Sequence, residues 1–228
     1  MDDICCTVTI SDDDKALQAA YAAGGAVIGI WRRDSGQEKD FSCCLYLVTD
    51  EKEADEEMLV QAARRRLGLP WRIGETKRLL IREFKKEDPL ERPENAEEAG
   101  RIGKPAYGDS RIFRDAVLRA AYIDNQYRFY QCGLWALVEK ESGRIIGKAG
   151  ITEGELGYHI YPEFRRKGFA FEACEKICIY GKEKMGLSRI FLRTGKENSA
   201  SIALAVRLGF SPMKTEQGAG FFFYEKYF

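Results

Sequence analysis

The chain has 228 residues, 45% of them hydrophobic, with 6 prolines and a formal net charge of zero. That length suits one domain plus a smaller addition, and the composition excludes a disordered or collagen-like chain. No apolar run approaches the roughly 20 residues that span a bilayer, and the charge is too dispersed for a nucleic-acid partner.

The first segment reads as a small α/β unit. "ICCTVTI" is a strand, and "SDDDKALQAAYAAGG" has a serine N-cap, acids in its first turn and a glycine stop. "AVIGIW" is a second strand and "CCLYLV" a third, separated by the polar turn "RRDSGQEKD". In "TDEKEADEEMLVQAARRRLG" acids come early and basic residues late, so the helix complements its own dipole before Gly68 ends it. "LPWRIGET" then reads as a junction. Charge changes sign here: residues 1 to 75 hold 15 acidic and 9 basic side chains, so the remainder carries the matching basic excess. We therefore expect two domains, 1–74 and 75–228.

From Thr76 the pattern restarts. "RLLIREF" is a strand, followed by a long polar stretch over residues 85 to 109. "SRIFRDAVLRAAYIDNQYRFY" has helical spacing, with Phe113, Val117 and Ala120 or Ala121 on one face. Two strands flank a Ser142-Gly143 turn, and "GELGYHIYP" is another strand. A helix over 168–185, the strand "SRIFLRT", the helix "SASIALAVRLG" and the terminal strand "GFFFYEKYF" complete the chain.

Seven cysteines include the adjacent pairs Cys5-Cys6 and Cys43-Cys44, which fit reduced thiols in the cytoplasm better than a disulfide framework. There is no CxxC spacing and only one histidine, His159, so no metal site is expected. The N-terminus is acidic where a signal peptide would be basic.

The stretch "YPEFRRKGFAFEA" places two arginines, a lysine and a glycine between a strand and a helix. The first N–H groups of a helix have no partner within it, so such a turn can hold an anion. Together, "ELGYHIYPEFRRKGFAFEA" at 155–173 and "ENSASIALAVRLGF" at 197–210 resemble the two signatures of the GCN5-related N-acetyltransferase (GNAT) superfamily, in the branch similar to ribosomal-protein N-terminal acetyltransferases. The resemblance covers about two thirds of the chain. It implies an α/β fold with a central, mixed and mostly antiparallel sheet flanked by helices, preceded here by the small N-terminal α/β domain. It also implies acetyl-CoA as cofactor, bound by Ile160, Arg165, Arg166, Lys167, Gly168, Phe169, Ala170 and Asn198. Gly168 would let the backbone approach a pyrophosphate closely, with no Cβ standing where a phosphate oxygen must sit. Phe169 and Phe171 are expected to pack the helix on the sheet.

The implied reaction is direct transfer of acetyl to a primary amine, on a protein N-terminus or a small molecule. Glu155 is the candidate general base and Ser201 the candidate proton donor to the leaving thiolate. Many family members use a tyrosine in the second helix, where this chain offers Leu204 or Val206. His159 shares a strand face with Glu155 and Gly157, with a structural role expected. Cys174 and Cys178 are read as core thiols. The alternative is a non-catalytic acyl-CoA-binding regulator, and the oligomeric state is not legible. Residues 1–74 weakly resemble part of the haloacid-dehalogenase-type phosphatases, with Asp12, Asp13 and Asp14 near the end of the first strand. The remaining catalytic parts are missing, so we read the segment as a non-catalytic docking or substrate-shaping unit.

Overall fold

The structure is a computed structural model that describes residues 5–32, 39–91, 110–128, 130–213 and 220–228. Two compact units divide the chain, Met1–Trp71 and Arg72–Phe228. The break falls three residues before the expected one, because Arg72–Glu75, read as junction, forms an edge strand of the larger sheet.

In the first unit β1 (Val8–Ser11), β2 (Ala26–Ile30) and β3 (Tyr46–Val48) form a parallel sheet in that order. Helix α1 (Asp14–Ala22) connects β1 to β2, and α2 (Glu56–Arg66) follows β3. Ala26, Ile28, Ile30, Val48 and Ala62 make a core with Met58 and Leu59 packed against it. The N-cap of α1 is Asp13 rather than Ser11, since the Asp13 carboxylate accepts from the N–H groups of Lys15 and Ala16. Asp12 pairs with Arg32 at 2.9 Å, and Asp14 accepts the Asp40 N–H at 2.9 Å. All three aspartates are therefore engaged in holding this unit together.

The second unit is built on an eight-stranded sheet. β4 (Arg72–Glu75), β5 (Leu79–Arg82), β6 (Gly133–Glu139), β7 (Ile145–Thr152) and β8 (Glu155–Ile160) form a run of antiparallel neighbours. β9 (Arg189–Gly195) lies beside β8 in parallel, followed outward by β11 (Phe221–Tyr227) and β10 (Ser211–Pro212). Alternation along the strands buries Leu79, Ile81, Trp135, Leu137, Ile190 and Leu192. Helix α4 (Phe169–Glu183) contributes Ala173, Cys174, Ile177 and Cys178 to that core. Gly181 is needed for close packing, as a Cβ there would stand 2.6 Å from Ile151 and 3.0 Å from Ile190.

The stretch expected as one helix from residue 110 is divided. A 3-10 turn over Ser110–Phe113 precedes α3 (Ala116–Tyr122), which Asp115 caps, and a π-helical turn follows over Ile123–Tyr127. The cap resets the helical phase. Phe113 is fully buried, but Val117 is 77% exposed, and the inward residue of α3 is Arg119. The last helix, α5 (Ser199–Arg207), connects β9 to β10.

Candidate active site

The strands β8 and β9 meet at the register pair Glu155–Phe191. Tyr161 donates its N–H to Ile146 of β7, and Gly154 accepts from the N–H of Phe191 in β9. Backbone groups alternate between neighbours along a strand, so Leu156, Tyr158 and Ile160 turn theirs to the seam with β9. Beyond the register pair β8 and β9 form no further ladder pairs. The Ile160 carbonyl there accepts from Arg165 Nε at 2.8 Å.

The loop that follows takes the shape of an anion cradle. Arg166 has φ 61° and Gly168 φ 81°, both left-handed, and α4 starts at the next residue. These left-handed residues on either side of Lys167 lead directly into the helix, whose first N–H groups have no partner within it and carry its partial positive charge. The side chains of Arg165, Arg166 and Lys167 are exposed around it. Phe169 is 4% exposed and packs under the helix start, whereas Ala170 and Phe171 are half-buried. The left-handed backbone at Gly168 favours glycine whatever the space, and a Cβ there would have one protein neighbour within 4 Å, Arg78 Nη2 at 3.5 Å.

The second signature forms the start of α5. Asn198 caps it by accepting the Ser201 N–H at 3.0 Å, as its position suggested. Ser201 is 6% exposed, and its hydroxyl lies near the phenol of Tyr158 from β8. Burial pushes the Tyr158 phenol above its ordinary pKa, against the opposing effect of the Ser201 hydroxyl. The inward face of α5 is Ser201, Ala205 and Leu208, while Val206 is 61% exposed and Leu204 only half-buried. Of the two residues offered at the family's tyrosine position, Val206 therefore turns outward and Leu204 is partly covered. The phenol of this region comes from the strand, a contribution that the sequence reading missed.

Beside β8 lies a cleft of about 1190 Å³. Glu155, Gly157 and His159, which share one face of the strand, line it together with Tyr158. The Glu155 carboxylate is 33% exposed and pairs with Arg193 Nε of β9 at 3.4 Å. His159 lies 5.9 Å from the Tyr161 ring, between centroids. Deeper in, Glu91 accepts from Lys148 Nζ at 2.5 Å and from the Tyr161 hydroxyl at 2.9 Å. Both members of that ion pair are over nine-tenths buried, and burial followed by the Glu91 charge raises the pKa of the Tyr161 phenol. Arg82 and Asp88 make a second, bidentate pair at 2.8 Å. Most of the long polar stretch, residues 92 to 109, lies outside the described residues.

A cationic cradle of N–H groups, beside a seam of open strand N–H and C=O groups, fits a ligand with a phosphate-bearing head and an amide-bearing arm. The acetyltransferase (GNAT) domain family profile matches residues 78–211, which include the cradle, the seam and both signatures. The chain belongs to the GNAT acetyltransferase family. This GNAT chain is also 35% identical over 83 residues to the uncharacterized N-acetyltransferase YoaA of Bacillus subtilis, covering 33% of the chain and 47% of that relative. The chain spans about half the length of the curated relatives it matches. Its GNAT fold is shared with the crystal structure of a protein named as an acetyltransferase, at TM-score 0.54 and 19% identity, over 70% of this chain and 97% of that one. It is shared too with a protein of Vibrio cholerae assigned as a ribosomal-protein-serine acetyltransferase, at TM-score 0.50 and 18% identity, over 69% and 97% of the two chains.

Proposed function

We propose that this GNAT protein is an acetyl-CoA-dependent N-acetyltransferase that passes acetyl directly to a primary amine. The observation that carries the proposal is the convergence at β8: the cradle at one end of the strand, the open seam along it, and a cleft-facing carboxylate, Glu155, at the other end. Acetyl-CoA would supply the activated thioester and leave as coenzyme A. The N–H groups of the cradle, with Arg165, Arg166 and Lys167, would hold the diphosphate. The backbone of Tyr158 and Ile160 and the side chain of Asn198 would align the amide arm.

In this reading Glu155 takes a proton from the acceptor amine, directly or through one water, and Arg193 fixes the direction of its carboxylate. Ser201 supplies a proton to the departing thiolate, backed by the nearby Tyr158 hydroxyl. Acceptor choice enters through pKa. At pH 7 deprotonating a lysine amine costs about 4.6 kcal/mol, against about 1 kcal/mol for an α-amine. A half-exposed carboxylate held beside an arginine therefore suits an α-amine or a small amine of similar pKa. Among the described residues no helix is long and apolar enough to cross a membrane. We place the protein in the cytoplasm, with residues 1–71 as a non-catalytic docking or substrate-shaping unit and 72–228 as the transferase domain.

The test is release of free thiol from acetyl-CoA with a panel of amines, including N-terminal peptides, free amino acids and polyamines. Amine-dependent release is expected. Binding of acetyl-CoA with no turnover on any amine would favour a non-catalytic acyl-CoA-binding regulator.

A further inference from the structure

Arg78 stands just before β5, far in sequence from the cradle, yet three of its contacts are made to it. Its Nη1 donates to the Lys167 carbonyl at 2.9 Å, and its guanidinium carbon lies 4.2 Å from the centroid of the Phe169 ring. Its Nε and Nη2 grip the Glu172 carboxylate, both at 2.7 Å, from the first turn of α4. Glu172 also accepts the backbone N–H of Arg78 at 2.9 Å and the Thr76 hydroxyl at 2.5 Å.

The geometry points to Arg78 as a positioning residue of the coenzyme site, acting from behind the loop. The inference rests on the acetyl-CoA reading. In a trans peptide the C=O and the following N–H point in opposite directions. Anchoring the Lys167 carbonyl on Arg78 therefore turns the Gly168 N–H away from Arg78, out of the loop on the side where an anion would bind. The same guanidinium neutralises Glu172, whose charge in the first turn of α4 would otherwise repel a diphosphate. Its planar fork performs both tasks at once, with a face left to cover Phe169, which a lysine ammonium cannot do.

A merely structural pair would not discriminate among ligands, and that is the readout. Calorimetry on the full chain compares coenzyme A binding to the wild type, Arg78→Gln and Arg78→Lys, and turnover is measured with acetyl-CoA and with S-acetylpantetheine, which has no diphosphate. A loss of one charged hydrogen bond corresponds to about a ten-fold change. Arg78→Gln is expected to weaken coenzyme A at least that much and to raise KM for acetyl-CoA with kcat little changed, while S-acetylpantetheine is used as by the wild type. Arg78→Lys, which keeps the charge beside Glu172 and gives up the fork, should show a smaller loss of the same kind, and decides the case if Arg78→Gln does not fold. Wild-type affinity in the variants, or an equal loss with both thioesters, overturns the role of Arg78 alone. A wild-type chain that binds no coenzyme A overturns the acetyl-CoA reading beneath it.

Discussion

The Glu155 carboxylate lies 3.4 Å from Arg193 Nε, across the register point where β8 and β9 meet. Both side chains face the cleft, so the ion pair sits at the mouth of the seam where a thioester and an amine would come together. Glu155→Gln keeps the size and removes the base. Turnover should fall roughly 10²-fold or more, with acetyl-CoA affinity within about two-fold of wild type. Steady-state kinetics paired with calorimetry checks both halves, and unchanged kcat would move the base elsewhere in the cleft.

At Gly168 the backbone has φ 81° and a Cβ would meet little. Gly168→Ala should cost roughly 1–2 kcal/mol for the left-handed conformation, read as a lower melting temperature. Gly168→Asp adds a negative charge beside the proposed diphosphate, on the order of 4 kcal/mol of repulsion at 4 Å and an effective dielectric of 20. Its melting temperature should match that of the alanine variant while coenzyme A binding is lost. Binding retained in the aspartate variant would remove the cradle from the site.

The Ser201 hydroxyl lies near the Tyr158 phenol, so the two should behave as a unit. Tyr158→Phe and Ser201→Ala are each expected to reduce kcat about ten-fold or more, and the double variant to lose no more than the worse single. Additive losses would mean that the two hydroxyls act separately.

Glu172 links the cradle to acid stability. Burial acts to raise its pKa, but the hydrogen bonds from Thr76 and Arg78 and the Arg78 charge outweigh it, so the folded value is depressed below 4.5. A depressed carboxylate stabilises the fold fully above its unfolded pKa and loses that contribution as pH falls through the folded value. Urea midpoints of the wild type should therefore drop below pH 4.5 more steeply than those of Glu172→Gln, with the difference absent from the slope at neutral pH. Parallel slopes would show that the pair contributes nothing.

Truncation tests the division of labour. Residues 72–228 expressed alone should bind coenzyme A, whereas a chain starting at 75 loses most of β4 and should be less stable by circular dichroism melting. A folded 72–228 fragment unable to bind coenzyme A would give the first unit a part in the site.

Local backbone chemistry was readable from the sequence by itself. The glycine at a strand-to-helix turn, the Asn198 cap, the basic cluster of 165–167 and the alternation that sends Glu155 and His159 to one face each depend on neighbours within a few residues. Those same features carried the family resemblance and, through it, the fold. What the tertiary structure alone decided are the partners that meet across the sheet: Arg78 with Glu172, Tyr158 with Ser201, Glu155 with Arg193, and Glu91 with Lys148. No periodicity encodes such pairs, because they depend on strand order and on the parallel placement of β9 beside β8. The phase of α3 failed for a related reason. Asp115 starts a new helix there, so the spacing from Phe113 to Val117 crosses a break, and burial of Arg119 with its guanidinium on the carbonyls of Lys86, Asp88 and Pro89 prevails over hydrophobic pattern.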